Sequence, residues 1–174
     1  SKPVIIATWP FGKLACNAAL PVLTSGGIAL DAVELGANAV EEDETVNSVG
    51  YGGLPNSEGV VELDAAIMDG CSHSAGAVAG ITGIRKPISV ARCVMEKTPH
   101  VMLVGAGAQQ FAVEEGFPLE KQELSPEAKI NYENWLKRSE YKPPAINVEN
   151  KGGHGPFAPH KLDNGEWNHD TIGM

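Results

Sequence analysis

The sequence predicts a layered α/β (α+β) domain, and three observations carry that expectation. Short runs of β-branched or small apolar residues cluster in the middle of the chain, at 60–70, 75–81 and 101–107. Longer segments with apolar residues at three- and four-residue steps flank them. Glycine is frequent, at 20 of 174 residues, as many tight turns and close backbone approaches require. Elements of these kinds bury their apolar faces by stacking in layers, and 174 residues suffice for one domain with a core of its own.

In chain order, VIIATW at 4–9 reads as a short buried strand ended by Pro10 and Gly12. KLACNAALPVLTSGG reads as a helix closed by Gly26 and Gly27, with Pro21 as a kink point. ALDAVELGANAVEEDE is a clearer helix, because Leu30, Val33, Ala37 and Val40 make one buried face. SVGYGG at 48–53 is a strand or loop too rich in glycine for a regular element. Residues 60–70 and 75–81 read as successive strands joined through Asp69-Gly70. PISVARCVMEKT at 87–98 is a helix opened by Pro87, with Ile88, Ala91, Val94 and Met95 on one side. VMLVGAG at 101–107 is a buried strand, and AQQFAVEEG is a helix ended by Gly116. Residues 125–140 form an amphipathic helix opened by Ser125-Pro126-Glu127. From Tyr141 to Asn168 periodicity is lost among four prolines and four glycines, which reads as a long mobile loop. No internal repeat is visible.

The bulk numbers narrow the function. A hydrophobic content of 43% with 20% charged residues is that of a folded globular chain. The net charge of -9 argues against nucleic acid, since phosphate binding needs clustered Lys and Arg. No apolar run approaches the roughly 18 residues of a membrane span. Ser1-Lys2-Pro3 does not read as a leader. Cys16, Cys71 and Cys93, odd in number and widely spaced, read as small buried side chains rather than a disulfide framework. No Asn-x-Ser/Thr acceptor occurs, which favours a bacterial or non-glycosylated chain.

Most candidate chemistry resolves to structural roles. GAGAQQ at 105–110 has two dinucleotide-fingerprint glycines but Gln110 in place of the third, and reads as a strand-to-helix turn. Cys71 and His73 lack a second pair at zinc spacing, so no metal or cofactor is expected. His154 and His160 fall in the loop and read as solvated. Asp64, inside an apolar run, is expected to be a carboxylate bonded to loop amides, with catalysis the alternative. Thr171 differs. It follows a long irregular segment and starts the apolar Ile172-Gly173-Met174. If the bond before it is cut, its new α-amine, with a reference pKa near 7.7–8.0, can act as base for its own hydroxyl.

HDTIGM at 169–174 resembles the processing site of the glycosylasparaginase (aspartylglucosaminidase) family of N-terminal-nucleophile hydrolases. The resemblance extends through TWPFG (8–12), SGGIALDAVELG (25–36), SVGYGG (48–53), LDAAIMDG (63–70), GAVAGI (76–81), KPISVARCVMEKTPHVMLVG (86–105) and YKPP (141–144). It implies an αββα sandwich, a precursor that cleaves itself between Asp170 and Thr171, and an (αβ)2 assembly. It also implies Thr171 as nucleophile, Asp170 and His169 assisting self-cleavage, Trp9 walling the substrate pocket with Phe11 beside it, and Ser48 near the nucleophile's amine. On this reading 1–149 is an α-subunit domain, 150–170 a loop leading to the cleavage point, and 171–174 the start of the β subunit. The substrate implied is asparagine linked to N-acetylglucosamine. The family's substrate-clamping arginine and aspartate belong to the β subunit, so this chain alone is expected to be inactive. The alternatives are an isoaspartyl peptidase or L-asparaginase using the same Thr, and a non-catalytic interaction module. The resemblance implies a periplasmic or secreted location if bacterial, and a lysosomal one if animal.

Overall fold

The computed structural model describes residues 2–121, 123–138 and 172–174. The expected loop at 150–170, with His169 and Asp170, lies outside them, and so does Thr171.

Two helices open the chain, α1 (Gly12–Thr24) and α2 (Ala29–Glu41). Pro21 falls in the last turn of α1, and Gly26, at φ +86°, turns the chain out of it. The two helices meet through small residues: Ala15, Ala19 and Ala32 are almost fully buried. A Cβ on Gly36 would come within 2.9 Å of the Ala15 carbonyl oxygen, so the absence of a side chain sets how closely α1 and α2 approach. After α2 a short 3-10 turn, Gly50–Gly52, replaces the expected strand or loop. Gly50 has φ +66°, and a Cβ there would stand 2.2 Å from the Glu41 carbonyl, so only glycine lets the turn lie against the end of α2.

A three-stranded sheet follows in the order β1 (Leu63–Met68), β2 (Ala75–Ile81), β3 (Met102–Val104). β1 and β2 form an antiparallel hairpin with Ala66 opposite Ala77 and an irregularity between Leu63 and Ala65. Its turn is held by Asp69, whose carboxylate accepts from the Ser72 N–H at 2.9 Å, the Ser72 hydroxyl at 2.6 Å and the Cys71 N–H at 3.3 Å. β2 and β3 are parallel, with Ala77 opposite Met102. Their connection carries α3 (Pro87–Lys97), as a parallel pairing requires. α4 (Gly105–Glu114) and α5 (Pro126–Arg138) complete the described elements.

One face of the sheet carries the core. Ile67, Val78 and Ile81 pack with Ile88, Val90, Ala91 and Val94 of α3 and with Ala108 and Ala112 of α4. Each large aliphatic side chain taken fully out of water there contributes about 1.5–3 kcal/mol. Gly76 lets α3 settle onto β2, because a Cβ would meet the Ala91 carbonyl at 2.1 Å. Among the described residues nothing covers the opposite face: Met68 is 59% exposed, Met102 55% and Val104 59%.

Several expectations need correcting. The run at 4–9 is not a buried strand; no regular element covers 2–8, and Val4 and Ile6 are 79% and 76% exposed. An apolar pattern makes a strand only where a neighbouring strand takes its N–H and C=O groups, and among the described residues the one ladder-like partner is Gly173. β3 is three residues long with its outer side chains exposed, not a buried strand over 101–107. The glycines at 105 and 107 fall inside α4, with Gly105 at φ +52° making the strand-to-helix turn. Cys71 is exposed, and Cys16 and Cys93 are half-buried, so the cysteines are not core side chains. Asp64 is exposed on the open face and accepts the N–H of Gly80 in β2 at 2.7 Å, so it is a solvated carboxylate at the β1–β2 irregularity and not a buried acid.

Candidate active site

The segment before α1 brings the sequence-predicted pocket residues to one end of the α1–α2 pair. Phe11 stands at the start of α1, half-buried, in a small cluster with Ala15, Val40, Val46, Val49, Ile172 and Met174. Trp9, 36% exposed, has φ +64°. A bulky side chain in the left-handed region costs on the order of 1–3 kcal/mol, and such strain concentrates at functional sites. The Trp9 carbonyl accepts from the Gly12 N–H at 3.0 Å, which folds TWPFG into a tight entry to the helix.

Residues 172–174 are held against this entry from both sides. The Thr8 N–H donates to the Gly173 carbonyl at 2.9 Å, and the Gly173 N–H donates to the Thr8 hydroxyl at 2.8 Å. Met174 packs against both apolar clusters, and its methyl group lies 2.5 Å from where a Gly36 Cβ would be. Phe11, Ile172 and Met174 therefore share one apolar cluster. Thr171, Asp170 and His169 lie outside the described residues.

Ser48, half-buried in the segment after α2, lines a groove of about 690 Å³ that runs across the uncovered sheet face. Ile172, Gly50, Ala66, Ala77, Met102 and the carboxylate-bearing Glu62 line it too. Trp9 and Phe11 stand at the start of α1, outside this lining. Among the described residues its lining carries the exposed carboxylates Glu62 and Asp64 and the buried Glu41, with no Lys or Arg. Among the described residues no group of three His, Cys, Asp or Glu is arranged to hold a metal ion.

Two residues at this end of the fold escape a sequence reading. Thr8 is one; it sits inside the quoted TWPFG, but its bonding to a residue 165 positions away leaves no mark in composition or period. Glu41 is the other. It opens the charge run EEDE, yet it is only 4% exposed. Its Oε1 accepts the Ile88 N–H at 3.0 Å, capping α3, whose own N-terminus has no side-chain cap. Its Oε2 has no hydrogen-bond partner among the described residues. Burial, reinforced by the Glu42 and Glu34 charges and only partly offset by the Ile88 N–H and Lys86, pushes the Glu41 carboxyl up to about 8. The side chain is then mostly protonated at neutral pH, which spares the core an unpaired charge.

The sequence pattern of the asparaginase family runs through residues 8–174. The N(4)-(β-N-acetylglucosaminyl)-L-asparaginase of Elizabethkingia miricola is 49% identical over 174 residues, 100% of this chain and 45% of that protein. The protein of the same name from Rattus norvegicus is 38% identical over 190 residues, 99% of this chain and 52% of that protein. An isoaspartyl peptidase/L-asparaginase of Rattus norvegicus is 48% identical over 97 residues, 56% of this chain and 29% of that protein. The chain spans about half the length of the relatives that it matches end to end. With its glycine-set turns, its TWPFG entry and its 172–174 segment all inside the matched range, the chain belongs to the asparaginase family.

Proposed function

We propose that the complete protein is an N-terminal-nucleophile amidohydrolase that cleaves N4-(N-acetyl-β-glucosaminyl)-L-asparagine, with Thr171 as nucleophile. The observation that carries the reading is the extent of the match. Relatives named for this activity align with 99–100% of the chain, whereas the isoaspartyl peptidase aligns with 56%. The packing of Ile172 and Met174 beside Phe11, with Ser48 and Ile172 on one groove, supports it.

The chemistry has two stages. In the precursor the Thr171 hydroxyl attacks the carbonyl carbon of Asp170, the peptide C–N bond breaks, and its nitrogen becomes the free Thr171 α-amine. Water hydrolyses the resulting ester. Asp170 activates this step and His169 positions it. In the mature enzyme the α-amine takes the proton from the Thr171 hydroxyl. The oxygen attacks the side-chain amide carbon of the glycosylated asparagine, the glycosylamine leaves, and water releases aspartate. Trp9 walls the pocket with Phe11 beside it, and Ser48 stands near the amine. Residues 1–149 form the α subunit, 150–170 the connecting loop, and 171 onward the β subunit, assembled as (αβ)2. The location that goes with this reading is periplasmic or secreted for a bacterial protein and lysosomal for an animal one, and the lack of Asn-x-Ser/Thr within residues 1–174 favours the bacterial case.

Full-length protein is expected to run as two bands on a denaturing gel and to release aspartate from glycosylasparagine, while Thr171→Ala stays a single inactive band. A Thr171→Ala variant that still cleaves itself would overturn the nucleophile assignment. Faster turnover of a β-aspartyl dipeptide than of glycosylasparagine would replace the substrate with that of the isoaspartyl peptidases.

A further inference from the structure

We infer that the Thr8 side chain is a positioning residue for the proposed Thr171 nucleophile, acting through its grip on the Gly173 backbone two residues further on. The inference deepens the proposed function and rests on Thr171 being the nucleophile. Four observations converge on Thr8. Its backbone N–H and its hydroxyl grip one residue, Gly173, in both directions, at 2.9 and 2.8 Å. Gly173 stands two positions after Thr171, so the grip acts on the segment that begins with the nucleophile. Thr8 is also the immediate neighbour of Trp9, which adopts the strained φ of +64°. The neighbours of Gly173, Ile172 and Met174, are packed into the apolar cluster around Phe11, so the segment cannot slide freely once Thr8 holds it.

The physical division of labour is clear. Ile172 and Met174 supply burial, which is non-directional and tolerates small displacements. The Thr8 pair supplies direction and register. A hydroxyl accepting a backbone N–H has a narrow range of useful geometry. One joint thus ties the residue before the pocket wall to the residue that follows the nucleophile by two. Alignment of this kind acts on the reacting geometry more than on substrate affinity, and displacements of about 1 Å cost on the order of 100-fold in rate.

The test uses the full-length protein with three variants. Thr8→Val removes the hydroxyl and keeps the branched shape; Thr8→Ser keeps the hydroxyl; Thr171→Ala is the control on the underlying reading. Self-cleavage is timed on a denaturing gel, and kcat and KM for glycosylasparagine are measured on the cleaved fraction. Thr8→Val is expected to slow self-cleavage and lower kcat about 10- to 100-fold with KM within about twofold, and Thr8→Ser to stay within about threefold of the parent on all three readouts. Parental rates in Thr8→Val, with Thr171→Ala uncleaved, would overturn the role of Thr8 and leave the nucleophile intact. Equal losses in Thr8→Val and Thr8→Ser would overturn it too, since the hydroxyl would then not be the active feature. A Thr8→Val variant that raises KM and leaves kcat alone has the same consequence. Self-cleavage of Thr171→Ala would instead remove the reading beneath it.

Discussion

Replacing Glu41 by Gln should flatten the pH dependence of stability. The carboxyl is 4% exposed, accepts one backbone N–H through Oε1, and has no partner for Oε2 among the described residues. Its pKa is about 8 in the fold against 4.5 for an ordinary glutamate. The folded state therefore holds this proton more tightly than the unfolded chain. The stability Glu41 contributes is complete below pH 4.5, is lost as pH rises, and levels off above about 8. At about 1.4 kcal/mol per pH unit, that window amounts to about 5 kcal/mol. Whole domains are stable by only about 5–15 kcal/mol, so the effect is large. Gln keeps the acceptor for the Ile88 N–H and cannot ionise. Urea unfolding of the parent and Glu41→Gln from pH 4 to pH 9 should show equal stability near pH 4 and a variant more stable by several kcal/mol near pH 8.5. Parallel curves across the range, or a variant less stable at pH 8.5, would refute the reasoning.

Other perturbations follow from packing. Gly36→Ala should destabilise the protein by about 1–3 kcal/mol, because its Cβ meets the Met174 side chain and the Ala15 carbonyl at under 3 Å; a lowered urea midpoint checks it. Ile81→Ala should cost about 2–5 kcal/mol, since Ile81 is fully buried in the core beneath the sheet; thermal unfolding at fixed pH measures it.

Much of the fold is legible because its patterns are local. The run at 75–81 reads as a strand from its small and β-branched residues, and β2 covers those residues. Pro87 marks the start of α3 because a first-turn proline loses no helical bond. The glycine-rich 48–53 resists assignment because its conformation is set by Gly50 against the end of α2, a tertiary contact. The run at 4–9 misleads for a related reason: hydrophobicity announces burial but not the strand that would provide it. Asp64 misleads through the assumption that a residue between apolar neighbours is itself buried, when alternation along β1 places it on the open face. At the site, Trp9, Phe11 and Ser48 come from resemblance, and the fold brings Phe11 and Ser48 each into company with Ile172. Glu41 stays hidden because a run of four acidic residues reads as a solvated helix end, and nothing in it tells which one turns inward.

The joint between Thr8 and Gly173 also orders events in time. Strands β1 to β3 with α3 and α4 lie within residues 63–114 and can assemble from near neighbours. The joint spans 165 positions, and contacts between distant segments form late because their loop must close first. The proposed self-cleavage would then be a clock set by folding. On that reading a nascent chain, its sheet still assembling, would not yet hold Gly173 and would keep its backbone whole. On the proposed reading the break would wait until the two distant segments have met.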